Sequence, residues 1–258
     1  MAYQEVMVEK KGRVGIVTLN RPHRLNSLGE PMVSEMRQAL EELNQDASIG
    51  AIVLTGTGRA FCSGADFANF QQVARGERRV GGGALSDWVS FVQRTKPIVC
   101  AINGYAVGAG LTITLPCDVR IASDQARLSM RFVRIGVVPE LASTKLLVHI
   151  VGLTRALELM LTGRFVEAEE ALEMGLVNQV TPHDQLLAAA VAKAEEIAFN
   201  PDESVAAVKR LVWANLVEPD LGLVQRREMD EFLAAVGRPA FREAVEAFLH
   251  KREPRFHG

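Results

Sequence analysis

The chain has 258 residues, 48% hydrophobic and 23% charged, with a formal net charge of −2. That is enough to bury one full core, and the near-neutral balance gives no general attraction to nucleic acid or anionic membranes. Cys62, Cys100 and Cys117 show neither metal spacing nor a disulfide framework. No stretch nears the roughly 20 apolar residues of a membrane span, and the opening MAYQEVMVEKKGRV lacks a signal-peptide core, so a cytoplasmic protein is expected.

The first elements follow from periodicity. EVMVEKKGRVGIVTLN reads as a hairpin, two apolar runs around a KKG turn. EPMVSEMRQALEELNQD reads as a helix with Pro31 in its first turn and Met32, Val33, Met36, Leu40 and Leu43 on one face. AIVLTG is a buried strand, SDWVSFVQRT a helix, IVCAING a second buried strand, and CDVRIAS and ARLSM two more strands. Strands alternating with helices predict an α/β fold with a largely covered sheet. After about Ala142 the pattern turns almost wholly helical, punctuated by Gly152, Gly163 and Gly175 as helix stops. The run RGERRVGGGALS is the one segment that reads as a mobile loop.

Two glycine-containing stretches carry the candidate chemistry. GRAFCSGADF, 58–67, follows the strand AIVLTG, and INGYAVGAGLTIT, 102–114, follows IVCAI. Each reads as strand, tight turn and helix start, where backbone N–H groups lack helical partners. Two such turns on neighbouring strands can direct two amides at one oxygen on which negative charge develops. The plainer reading is two packed turns that need small residues. Neither stretch has the G-x-G-x-x-G spacing of a dinucleotide site or the Gly-Lys-Ser/Thr of a phosphate loop.

Taken together, AFCSGAD, INGYAVGAG, CDVRIAS and LTGRFVEAEEALEMGLVNQV, with TLNRPHRLNSL ahead of them, resemble the enoyl-CoA hydratase/isomerase family, the crotonase superfamily, from about Val14 through Val180. The resemblance implies an α/β crotonase (ClpP-like) spiral of β-β-α units over residues 1–199, with a C-terminal helical trimerisation region over 200–258. It implies acyl-CoA thioester substrates, coenzyme A being part of the substrate and no separate cofactor being needed, and a homotrimer or dimer of trimers. The thioester oxygen would lie between the amides of Ser63 and Ala109, which stabilise the enolate.

The family varies its acid and base groups over this shared hole. A hydratase carries two glutamates, and here those positions hold Thr112 and Phe132. Hydration needs an activated water and a proton donor. Threonine holds a water weakly and phenylalanine does neither. In some family members that shift a double bond, the single base follows the proline of a G-x-x-P-E turn, here Gly136 to Glu140. One carboxylate reaching carbons 2 and 4 would convert a 3-enoyl-CoA to the 2-enoyl isomer in an apolar pocket. The plainer reading of Glu140 is a favourable charge near a helix start.

The nucleotide is expected near Arg24, Leu25, Ala65 and Asp66, with Lys251 reaching a phosphate from an adjoining subunit. Arg24 also reads as an ordinary surface charge, and Asp66 as a loop brace. Phe70, Trp88, Phe91 and Phe132 are candidates to line an acyl channel, with core packing an equal reading of each. Arg131 and Arg134 read as paired or solvated, and Asp118 as a cap or ion-pair partner. The five histidines show no metal spacing. The alternatives are a hydratase, another thioester-enolate reaction, or a non-catalytic acyl-CoA-binding or RNA-binding relative. The charge balance argues against RNA, which leaves a local patch such as Arg75, Arg78 and Arg79 as the feature that would serve it.

Overall fold

A computed structural model describes residues 3–66, 71, 75–77 and 83–257. The expected hairpin is β1 (Val6–Lys11) and β2 (Val14–Leu19), paired antiparallel. Its turn uses Gly12 at φ 55, a conformation glycine adopts without a Cβ penalty. β2, β3 (Ala51–Gly56), β5 (Ile98–Ile102), β7 (Val119–Ser123) and β10 (Gln179–Thr181) then run parallel, giving a six-stranded sheet in the order β1-β2-β3-β5-β7-β10.

Strand alternation explains why this sheet is buried on both faces. Val17, Leu19, Ile52, Leu54, Ile98, Cys100 and Ile102 belong to one core, shared with Met32, Met36, Leu40 and Leu43 of helix α1 (Met32–Gln45). Their neighbours Ile16, Val53, Val99, Ala101 and Ile121 point the other way. They pack against helix α7 (Leu186–Ala198), whose Ala190, Ala194 and Ala198 let it approach closely. Pro31 precedes α1 as its N-cap rather than lying in its first turn.

A second sheet joins the expected strand ARLSM to others that periodicity does not reveal. β4 (Ala60–Cys62), β6 (Tyr105–Val107) and β8 (Arg127–Ser129) lie parallel, and β9 (Val166–Glu167) closes the edge antiparallel. From β3 to β8 the chain alternates sheets, placing one strand in the large sheet and the next in the small one. Helix α2 (Trp88–Gln93) precedes β5, and the four-residue helix α3 (Ala109–Thr112) follows β6.

Beyond Ala142 come α4 (Ser143–Val151), α5 (Leu153–Thr162), α6 (Ala168–Glu173), α7, α8 (Asp202–Asn215), α9 (Leu221–Val236) and α10 (Pro239–Leu249). The expectation of an almost wholly helical stretch is corrected by β9 and β10, which complete one edge of each sheet. Gly152, Gly163 and Gly175 take positive φ at helix ends, as expected. α8 is tied to the sheet by Lys209 Nζ, which donates to Asp118 Oδ2 at 2.8 Å, and by Arg13, which donates to Asp202. No helix among the described residues is long and apolar enough to cross a membrane.

Candidate active site

The two candidate loops leave adjacent parallel strands, but these are β4 and β6 rather than β3 and β5. With Cys62 in register with Ala106, the residues after them emerge side by side. The approach is close enough to forbid side chains. A Cβ on Gly64 would lie 2.6 Å from the Val107 carbonyl oxygen and 3.5 Å from the Ala109 nitrogen. A Cβ on Gly110 would lie 2.1 Å from the Cys62 carbonyl oxygen. The glycines are therefore a packing requirement of the paired loops.

Gly108, at φ 54, turns the chain into α3. Ala109 is the first residue of that helix, and no acceptor among the described residues takes its N–H. Ser63 differs. Its N–H donates to the Leu25 carbonyl at 3.0 Å, so the expectation of two unsatisfied amides holds for Ala109 alone. An oxygen arriving at Ser63 would share that hydrogen in a three-centre bond.

The segment from Leu25 to Leu28 runs along the first loop. Leu28 N–H donates to the Gly64 carbonyl at 2.7 Å, and Asp66 N–H to the Leu28 carbonyl at 3.0 Å. Leu25 and Asn26 both take φ 53. Asn26, a residue the sequence did not single out, secures this turn from a wholly buried position. Its amide nitrogen donates to the Thr57 and Ala60 carbonyls, and its oxygen accepts from the Arg21 N–H. Arg24, Leu25, Ala65 and Asp66 are thus brought together. Arg24 is exposed, whereas the Asp66 carboxylate is bound by Arg21 at 2.5 Å. Lys251 is exposed in the turn after α10, at φ 53.

Glu140 lies on the third neighbouring segment, beyond β8. It stands three residues ahead of α4, and none of that helix's amides takes its side chain as a cap. Leu141 and Ala142, both non-glycine residues at positive φ (53 and 55), make the tight turn between them. Although the residue as a whole is exposed, its carboxyl turns inward. Oε1 accepts a 2.6 Å hydrogen bond from the hydroxyl of Thr112, a fully buried residue one turn after Ala109. The carboxyl's own surroundings, not the residue average, set its ionisation: burial pushes its pKa up, and the Thr112 bond opposes this. The contact between Thr112 and Glu140 was not visible in the sequence.

Phe132 is buried, with its ring tip 3.9 Å from where a Cβ on Gly108 would sit. Trp88 belongs to the core: it is wholly buried and its indole N–H donates to the Ile113 carbonyl at 2.9 Å. Phe91 packs beside it, with the Arg37 guanidinium over its ring. Phe70, Arg78, Arg79, Gly81 and Gly82 lie outside the described residues. Arg131 stacks over Phe165, and Arg134 donates to the Thr162 carbonyl. Burial pushes the Cys62 thiol up to about 12, which leaves no thiolate beside the loop near neutral pH. Among the described residues no cluster of His, Cys, Asp and Glu could hold a metal ion.

Comparison with known proteins finds likenesses over nearly the whole chain. The family model for enoyl-CoA hydratase/isomerase matches residues 9–258. A protein of Dictyostelium discoideum named probable enoyl-CoA hydratase, mitochondrial, is 36% identical over 96% of this chain and 89% of its own. The crystal structure of an enoyl-CoA hydratase from Bacillus anthracis superposes with a TM-score of 0.88 at 32% identity, covering 98% of this chain and 99% of that one. One from Polaromonas superposes with a TM-score of 0.92 at 26% identity over 98% and 99%. Adjacent loops on parallel strands, the free amide at Ala109 and these full-length likenesses lead to one assignment: the chain belongs to the enoyl-CoA hydratase/isomerase family.

Proposed function

We propose that this enzyme shifts the double bond of a 3-enoyl-CoA to the 2 position, with Glu140 as the single acid and base. The observation that carries this reading is the Glu140 carboxyl turned onto Thr112, one helical turn from the Ala109 amide. In the two positions where a hydratase of this family would carry carboxylates, the chain has that threonine and the buried Phe132.

The thioester oxygen accepts from Ala109 and shares the Ser63 N–H, so charge on it is stabilised as the enolate forms. Removing one such donor typically costs about 2.7–4 kcal/mol in the barrier. Glu140 takes the proton at carbon 2 and returns it at carbon 4. Phe132 supplies an apolar wall that disfavours competing water. Arg24, Leu25, Ala65 and Asp66 would meet the nucleotide end. For assembly we favour a homotrimer or dimer of trimers, with residues 200–258 contributing the contacts. In support, the large apolar side chains Phe232, Leu233, Phe248 and Leu249 on α9 and α10 are exposed, and a subunit contact would cover them.

The second reading is a hydratase, favoured by the names of the relatives. Incubation with 3-enoyl-CoA and with 2-enoyl-CoA separates the two. Conjugated product from the first, with little hydration of the second, is expected. Glu140→Gln is expected to lower isomerisation about 10²–10⁴-fold. Unchanged isomerisation in that variant would remove Glu140 as the base.

A further inference from the structure

The hydroxyl of Thr112 has one hydrogen and two acceptors within reach. Glu140 Oε1 lies 2.6 Å away, and the Ala109 carbonyl, three residues back in α3, lies 3.3 Å away. The shorter contact is to the carboxyl. Thr112 has no solvent exposure, so bulk water does not compete for its hydroxyl. Among the described residues no other hydrogen bond reaches the Glu140 carboxyl, and none of them partners Oε2.

We infer that Thr112 is a positioning residue: it pins Oε1 of Glu140 and leaves Oε2 as the one oxygen that carries the proton between carbon 2 and carbon 4. This rests on the isomerase reading. With Oε1 held, Oε2 takes a proton from carbon 2, and the C–H electron pair moves into the enolate. The proton then stays on Oε2, because Oε1 is already receiving a hydrogen. The dienolate takes it back at carbon 4 as the carbonyl re-forms and the double bond settles between carbons 2 and 3. Glu140 ends ionised, as it began. A carboxyl free to rotate would present either oxygen and give the proton time to exchange with water.

The charged groups on neighbouring elements are engaged elsewhere or exposed. Arg131 lies over Phe165, Arg134 binds the Thr162 carbonyl, and Lys145 and His149 of α4 are exposed. Burial and the Thr112 hydroxyl are the two influences on the carboxyl's ionisation. Losing the hydroxyl therefore moves its pKa further up.

The test uses Thr112→Val, which keeps the shape and removes the hydroxyl, and Thr112→Ser, which keeps the hydroxyl. Substrate deuterated at carbon 2 reports proton retention. The expected result for Thr112→Val is a kcat lowered roughly ten-fold or more with KM little changed, as for loss of a hydrogen bond to a charged group. The acid limb of its pH profile should move to higher pH, and less label should reach carbon 4. Thr112→Ser should restore all three. If Thr112→Val does not fold, Thr112→Ala serves in its place. A wild-type-like pH profile and label retention in the hydroxyl-free variant would overturn the role of Thr112 while leaving the isomerase reading intact. Absence of isomerisation by the wild type, or its persistence in Glu140→Gln, would instead overturn the reading beneath it.

Discussion

Lys209 and Asp118 meet 91 residues apart in sequence, with 8% of the lysine exposed, and this pair fastens α8 to the end of the large sheet. Asp118 also accepts the Ile98 N–H at 2.7 Å, and Lys209 lies 3.4 Å from the Lys96 carbonyl. Removing one partner of a buried pair leaves the other uncompensated, at about 3–5 kcal/mol. Asp118 retains some solvent, so Lys209→Ala is expected to lose about 3 kcal/mol, near the low end of that range. Urea unfolding measures it, and a loss under about 1 kcal/mol would mean that α8 is held by apolar packing instead.

The Glu140 carboxyl is harder to ionise in the folded chain than in the unfolded one, because burial outweighs the Thr112 bond. The proposed isomerisation needs the ionised base. Its kcat/KM is therefore expected to fall toward acid pH with a midpoint above 4.5, the ordinary glutamate value. A midpoint at or below that value would mean that burial does not govern the ionisation of this carboxyl.

The same shift has a stability consequence of definite sign. A raised carboxyl pKa favours folding at low pH, and that contribution is lost as pH rises through the folded-state value. Above it, the wild type bears the cost of a desolvated charge that Glu140→Gln does not. The variant is expected to melt no lower than wild type at about pH 8, with any advantage gone below about pH 4, where both side chains are neutral. Thermal melts across this range check it.

Gly110 packs against the Cys62 carbonyl at a distance no Cβ tolerates. Gly110→Ala must separate the two loops, at about 1–3 kcal/mol in stability. Because the Ala109 amide moves with that backbone, kcat is also expected to drop, by up to the roughly 10²–10³-fold seen when an oxyanion donor is lost. Denaturation and steady-state kinetics on one preparation measure both. Lower stability with unchanged kcat would separate the loop contact from the chemistry.

Cys62, Cys100 and Cys117 are all buried, and burial raises the Cys62 and Cys100 thiols. Iodoacetamide near pH 8 is expected to label none of them in the native protein and all three after denaturation. Mass spectrometry reads the count.

Elements long enough to repeat their pattern were legible in the sequence. The hairpin, α1 and the large-sheet strands β3, β5 and β7 were expected, because alternation or a helical stripe repeats there or a continuous apolar run marks them. β4, β6, β9 and β10 were not, because two or three residues cannot display a period. The same limit applies to the site. The two loops and Glu140 were visible as local motifs. The bond from Thr112 to Glu140 spans 28 residues, and the capture of the Ser63 amide by Leu25 joins segments still further apart. Trp88 looked equally suited to channel or core until its indole partner was seen.

The chain's alternation between two sheets also bears on how such an enzyme can change its reaction. Ser63, Ala109 and Glu140 are delivered after three successive small-sheet strands, β4, β6 and β8, each from its own winding of the spiral. In the proposed reaction the grip on the thioester comes from the first two windings, and the proton carrier comes from the third and is positioned by Thr112 of the second. Substitutions at Thr112 and in the last winding would therefore reassign the chemistry while the two amides that hold the substrate are inherited unchanged.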